Sequence, residues 1–202
     1  MDLILKWVTL RFFETNPSVL LKALEYLNIV FTTLAEDSYT LNEIEAVSFI
    51  PFLINKWGDP KDQVRNCIRT IFKKLRQVFP VSKLCPYIID GIDSKNAKQR
   101  TECLDDIGSM IKEYGINVLQ PSPPNSMKVM AKQIADKDSK VRDAALNAIA
   151  EAYFQVTSKY LFIMFLFLGI DNSQFDKLSP SSETISKTRP VCTCVRLITY
   201  CN

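Results

Sequence analysis

Asp138 to Phe154 reads DSKVRDAALNAIAEAYF, and it describes a helix with one buried face. An Asp or Ser able to cap free amides precedes a basic turn, and apolar residues then fall at Val141, Ala144/Ala145, Ala148/Ile149 and Ala152/Tyr153. The same pattern recurs upstream. With Arg142 aligned to Arg100 and Arg65, the stripes Cys103/Leu104, Ile107, Met110/Ile111 and Val64, Cys67/Ile68, Ile71/Phe72, Leu75 take nearly the same places. Leu20, Ala23/Leu24, Leu27 and Val30/Phe31 form a fourth copy, so the steps are 45, 35 and 42 residues. Such spacing is that of paired-helix repeats of the HEAT type. The sequence therefore predicts an all-α chain, an α-solenoid of about four helix pairs, with an irregular tail after residue 156.

Composition narrows the function. The 202 residues are 47% hydrophobic and carry a formal charge of +3, too little to suggest nucleic acid by bulk charge. There is no histidine, which removes the usual general base and the commonest metal ligand together. No glycine-rich phosphate loop is present, Asp105-Asp106 reads as solvated charge on a helix face, and neither an enzyme nor a cofactor is expected. Cys67, Cys85 and Cys103 lie in helical patterns and read as buried thiols; Cys192 and Cys194 make a pair without further ligands, so no metal is expected. Met1-Asp2-Leu3 lacks the basic segment of a secretory signal, and the longest apolar run, Tyr160 to Ile170, is too short to span a bilayer.

Along the chain, Leu3 to Phe13 reads as a first helix, and Asn16 with Pro17 opens the second. Thr40 and Glu43 offer a capping box for a third, with Pro51 at a bend or restart. Asp59 and Pro60 read as cap and first residue of the fourth. Ser82 to Ile92 and the helix of Arg100, stopped at Gly115, follow; Ile116 to Asn125, with three prolines, reads as a non-helical connection before Met127 to Ala135. Val191 to Tyr200 has strand propensity but no evident partner.

In stacked helix pairs the turns within each pair emerge along one edge. Here they are residues 14 to 17, 57 to 62, 93 to 97 and 135 to 140. From Lys56 to Arg65, Asp93 to Arg100 and Asp136 to Arg142 there are nine basic residues against five acidic, a basic rim on an otherwise acidic body. That distribution suits an acidic partner. Lys61, Lys95, Lys98, Lys137 and Lys140 are candidates to meet its carboxylates. Arg65, Arg100 and Arg142 recur in register, each after an Asp, and read equally as a structural ladder or as contacts. Trp57 is either a binding anchor or the closure of a helix end.

The segments LILKWVTLRFF (3–13), ALEYL (23–27), FIP (49–51), DPKD (59–62), SKNAKQRTECL (94–104) and VRDAALN (141–147) resemble the TOG domains of the animal microtubule polymerases, the ch-TOG and Mini spindles group, and look closest to the fifth domain of the array. The resemblance covers residues 2 to 156. It implies a monomeric, non-catalytic HEAT paddle that contacts the tubulin dimer or microtubule lattice through its intra-repeat loops, in the cytoplasm at the cytoskeleton, the spindle and the centrosome. The contacts it implies are Thr15 and Asn16 in the first turn, Trp57 and Lys61 in the second, Lys95 and Lys98 in the third, and Lys137 and Lys140 in the fourth. It also implies that a first repeat is missing and that residues 157–202 are a non-family tail, an aberrant or alternatively spliced end, with apolar surface bared at both ends of the stack. A general HEAT scaffold for another protein, or a truncated product without activity of its own, are the other readings.

Overall fold

The computed structural model describes residues 1–14 and 16–168, with side chains as far as residue 156. Eight α-helices make four antiparallel pairs: α1 (Asp2–Arg11) with α2 (Pro17–Glu36), α3 (Glu43–Lys56) with α4 (Asp62–Val78), α5 (Val81–Gly91) with α6 (Ala97–Tyr114), and α7 (Pro123–Lys132) with α8 (Ser139–Leu168). Single 3-10 turns lie at Ile116–Leu119 and Gln133–Ala135. First helices stack in one row, α1 on α3 and α3 on α5; second helices form the other, α2 on α4 and α6 on α8. The described residues contain no strand.

The repeating stripes are the core. Leu20, Leu24, Leu27 and Phe31 of α2, Val64, Ile68, Ile71, Phe72 and Leu75 of α4, Cys103, Leu104, Ile107, Met110 and Ile111 of α6, and Val141, Ala145, Ala148 and Ile149 of α8 are buried in one continuous cluster. Each large side chain there contributes roughly 1.5–3 kcal/mol of burial. Tyr153, expected in the α8 stripe, is exposed instead, one position past the buried Ala152. Helix α2 is long and apolar enough to cross a membrane by length and composition, but its apolar face packs in this core. Burial raises the Cys103 thiol well above its ordinary value and pushes Cys85 up to about 12, so both are unreactive packing residues. The outer side of α1 stays open to solvent, with Leu3, Leu10 and Phe13 exposed and Arg11 stacked over Trp7.

Several boundaries differ from the expectations for local reasons. The third helix is capped by Asn42, not Thr40: the Asn42 side chain accepts from the Glu45 amide at 2.9 Å while Glu45 accepts from the Asn42 amide at 3.1 Å. Pro51 neither bends nor restarts α3, which runs through it. Helix α4 begins at Asp62, leaving Asp59 and Pro60 in the turn. Helix α7 starts at Pro123, because prolines at the first two helical positions lack only amides that a helix leaves unpaired. Asn16 caps α2 as expected, accepting from the Ser18 amide at 3.0 Å. Gly115 ends α6 at φ +80°, ψ 175°, a region that glycine alone occupies freely. Helix α8 continues to Leu168, twelve residues beyond Val156, where the repeat pattern of the sequence stops. The tail strand propensity and the Cys192-Cys194 pair lie outside the described residues.

Between α4 and α6 the second row changes character. These helices stand further apart than α2 from α4 or α6 from α8, and arginines span the gap. Arg69 forks onto both carboxylate oxygens of Glu102, and Arg65 Nε lies 3.4 Å from the same group. Further along, Arg76 donates to Asp106 at 2.5 Å and to Glu113 at 3.3 Å. Asp106 is thus a half-buried ion-pair partner of the buried Arg76 and not the solvated charge expected from the sequence; Asp105 beside it is the exposed one.

Candidate binding edge

Three of the four intra-repeat turns are built on one plan. In each, the residue just before the helix donates its amide to a side-chain oxygen two positions back: Lys61 to Asp59 (2.9 Å), Asn96 to Ser94 (3.2 Å) and Asp138 to Asp136 (2.9 Å). The backbone carbonyl of that same earlier residue accepts from an arginine six positions on: Arg65 to Asp59 (2.5 Å), Arg100 to Ser94 (2.8 Å) and Arg142 to Asp136 (2.9 Å). One residue therefore folds the turn from both sides, which accounts for the arginine register. The first turn has Leu20 at the arginine position and carries neither ladder nor lysine.

The turns also touch one another. Asn96 Nδ2 donates to the Gly58 carbonyl at 2.8 Å, and Lys98 Nζ reaches the Pro60 carbonyl at 3.5 Å, joining the second turn to the third. Arg100 Nη2 joins the third to the fourth through Asp136 at 2.8 Å. Across this junction Ile92, Ser94, Arg100 and Asp136 line a shallow cleft of about 380 Å³. The chain connections between repeats gather elsewhere, where the Leu41 amide donates to the Val78 carbonyl at 2.7 Å. The three basic turns thus form one continuous edge.

Lys61, Lys95, Lys98, Lys137 and Lys140 are all exposed on that edge, and none is ion-paired among the described residues. They fall into rows. Lys95 and Lys137 immediately precede Asn96 and Asp138, the residues just before each helix, and Lys98 and Lys140 follow those residues by two. The arginines behind them are turned inward, with Arg65 buried and Arg100 half-buried. Each donates to the carbonyl of its own turn, and Arg65 and Arg100 also pair with Glu102 and Asp136, which are the bonds of a structural ladder.

Trp57 does not present itself at the edge. Its side chain is 0% exposed and stacks on Phe72 with ring centroids 4.0 Å apart and planes 18° from parallel. A Trp closing α3 against α4 is what the position holds. Asn16 is exposed beside its helix, and Thr15 lies outside the described residues. Gly58, Asn96 and Asp136, which tie the turns together, were not singled out from the sequence. A side-chain acceptor six residues before each arginine was the available signal for Asp136; nothing local marks a bond to a carbonyl 38 residues away.

Asp136 titrates below its ordinary 3.8, first because the Asp138 amide donates to its carboxylate and then because Arg100 does. A depressed carboxylate contributes stability that is present above the unfolded value and lost as pH falls through the folded one. Comparing melting of the chain with Asp136→Asn from pH 7 down to pH 3 should therefore show a deficit at neutral pH that begins to close below about pH 4. A constant deficit over that range would mean the carboxylate charge plays no part.

The XMAP215/Dis1/CLASP TOG-domain model matches residues 6–179. The chain is 50% identical over 154 residues to the protein mini spindles of Drosophila melanogaster and 38% identical over 155 residues to zygote defective protein 9 of Caenorhabditis elegans. These matches take in 76% and 75% of the chain but only 7% and 11% of those much longer proteins. Among solved structures, one from work on TOG-tubulin binding specificity, microtubule dynamics and mitotic spindle formation aligns with 49% identity and a TM-score of 0.74, over 78% of this chain and 63% of that one. The TOG domain of C. elegans Zyg9 aligns at 38% identity with a TM-score of 0.73, over 76% of this chain and 57% of that one.

Proposed function

Because this chain belongs to the XMAP215/Dis1/CLASP TOG-domain family, we propose that it is a non-catalytic module that binds tubulin, as free dimer or in the lattice, through its lysine-bearing edge. The observation that carries this reading is the arrangement of Lys61, Lys95, Lys98, Lys137 and Lys140, exposed and without an ion-pair partner among the described residues, along three linked turns whose own arginines bond the turn carbonyls. Tubulin is an acidic protein, and a basic rim both steers such a partner and suppresses neutral or basic ones. Asn16, exposed at the first turn, is a further candidate contact. The module acts as a monomer, without nucleic acid or membrane, in the cytoplasm at microtubules, the spindle and the centrosome. Relatives named for spindles and centrosomes support that placement, as does the TOG-tubulin binding specificity studied in the solved relative. Within a longer polymerase it would support plus-end growth.

Co-sedimentation with microtubules tests this, using the chain and a Lys61→Glu/Lys95→Glu/Lys137→Glu variant. The unmodified chain should pellet and the variant should bind at least about tenfold more weakly, because three attractive contacts become like-charge ones. Raising ionic strength should erode binding of the unmodified chain. No binding by the chain, or equal binding by the variant, would turn the assignment toward a HEAT scaffold for some other partner.

A further inference from the structure

The two halves of the edge meet over the gap between α4 and α6, where neighbouring helices of the second row approach least closely and arginines bridge them. At the rim itself the shorter of the two contacts that make the crossing comes from one amide, with Lys98 Nζ 3.5 Å from the Pro60 carbonyl beside it. Asn96 Oδ1 accepts from the Lys98 amide at 3.0 Å, capping α6, while its Nδ2 donates to the Gly58 carbonyl at 2.8 Å. Gly58 is cut to fit: a methyl group placed there would lie 2.4 Å from Nδ2. Lys61 and Lys98 stand three and two residues from this contact.

We infer that Asn96, received by Gly58, is a positioning residue that holds the Lys61 and Lys95/Lys98 sets at a fixed separation for an acidic partner. The inference rests on the tubulin reading of the edge. Its physical content is preorganisation: without the lock the two turns sample several separations, and only the competent fraction binds. The two functions of Asn96 are separable. Serine caps a helix nearly as well as asparagine but is too short to reach Gly58. Gly58→Ala attacks the lock from the other side: a methyl there would lie 2.4 Å from Nδ2 and 2.9 Å from Cγ, so the whole carboxamide, cap oxygen included, must shift while the Asn96 residue is kept.

Asn96→Ser should leave the melting temperature nearly unchanged, speed amide hydrogen exchange over residues 57–65, and weaken binding of purified tubulin about fivefold, the scale of one neutral hydrogen bond. Gly58→Ala should change exchange and affinity in the same way, and the double variant should lose no more affinity than either single one, since both remove the same contact. Unchanged exchange, unchanged affinity in a chain that binds, or additive losses in the double variant would each overturn the inference. If the unmodified chain binds no tubulin, the functional reading falls separately, and exchange in the two single variants and their double decides whether the lock exists.

Discussion

Arg76→Ala is expected to destabilise the chain by about 3–5 kcal/mol, the scale for stranding one member of a buried ion pair. The Arg76 side chain is 3% exposed and Asp106 12%, so water replaces the lost partner only in part. Burial is the main influence raising the Asp106 carboxyl above its ordinary value, and Arg76 is the main one opposing it. Removing the arginine leaves burial largely unopposed. An acid whose folded value exceeds its unfolded one gives a folded state that binds more protons in that interval, so stability rises as pH falls. The variant should therefore recover part of its deficit between pH 7 and pH 5, read as the midpoint of urea unfolding. Arg76→Met with Asp106→Leu, which removes both charges and fills the space, should be far closer to the parent than either single change. A deficit under 1 kcal/mol, or one that grows on acidification, would show that the pair contributes nothing across the α4–α6 gap.

Trp57→Ala should cost about 3–5 kcal/mol, the range for emptying a large aromatic site in a closed core. Phe72 would lose its stacked neighbour, and the end of α3 would lose the group that seats it on α4. Trp57→Phe keeps most of the volume and should cost much less. Neither change should alter tubulin affinity per folded molecule, since the indole is fully covered in the free chain. Denaturant unfolding gives the first quantity and tubulin binding of Trp57→Phe the second. A selective loss of binding in Trp57→Phe at unchanged stability would restore Trp57 to the contact set.

The helical stack was legible because its signal is repeated. One amphipathic stripe is ambiguous, but Leu20, Arg65, Arg100 and Arg142 carry the same stripe behind them at similar intervals. Strong local punctuation was equally readable: Asn16-Pro17 starts a helix and Gly115 stops one, as each residue's own dihedral preferences require. Where two residues competed for one role, local pattern misled. Thr40-Glu43 and Asn42-Glu45 both satisfy a capping box, and the second wins in the fold, where Tyr39 also donates to Glu45. Asp59-Pro60 resembles a helix start, yet Asp59 is committed to the Lys61 amide and the Arg65 side chain.

The lysines of the edge could be placed from the turns alone, because exposure of a turn lysine is the ordinary outcome. The fate of Trp57, Asp106 and Asn96 could not, because each is decided by a residue of another element: Phe72, Arg76 and Gly58. Charge in a helix sequence does not say whether the neighbouring helix packs by hydrocarbon or by arginine.

The bond from each ladder arginine to a carbonyl six residues earlier has an evolutionary corollary. Since every basic turn is shaped by its own residues, the solvent-facing amino acids riding on it are free to vary without the loop changing course. Selection can adjust how strongly one module grips its target by swapping lysines in or out, turn by turn. An array of such modules could thereby be graded from firm to weak holders while the underlying scaffold stays the same.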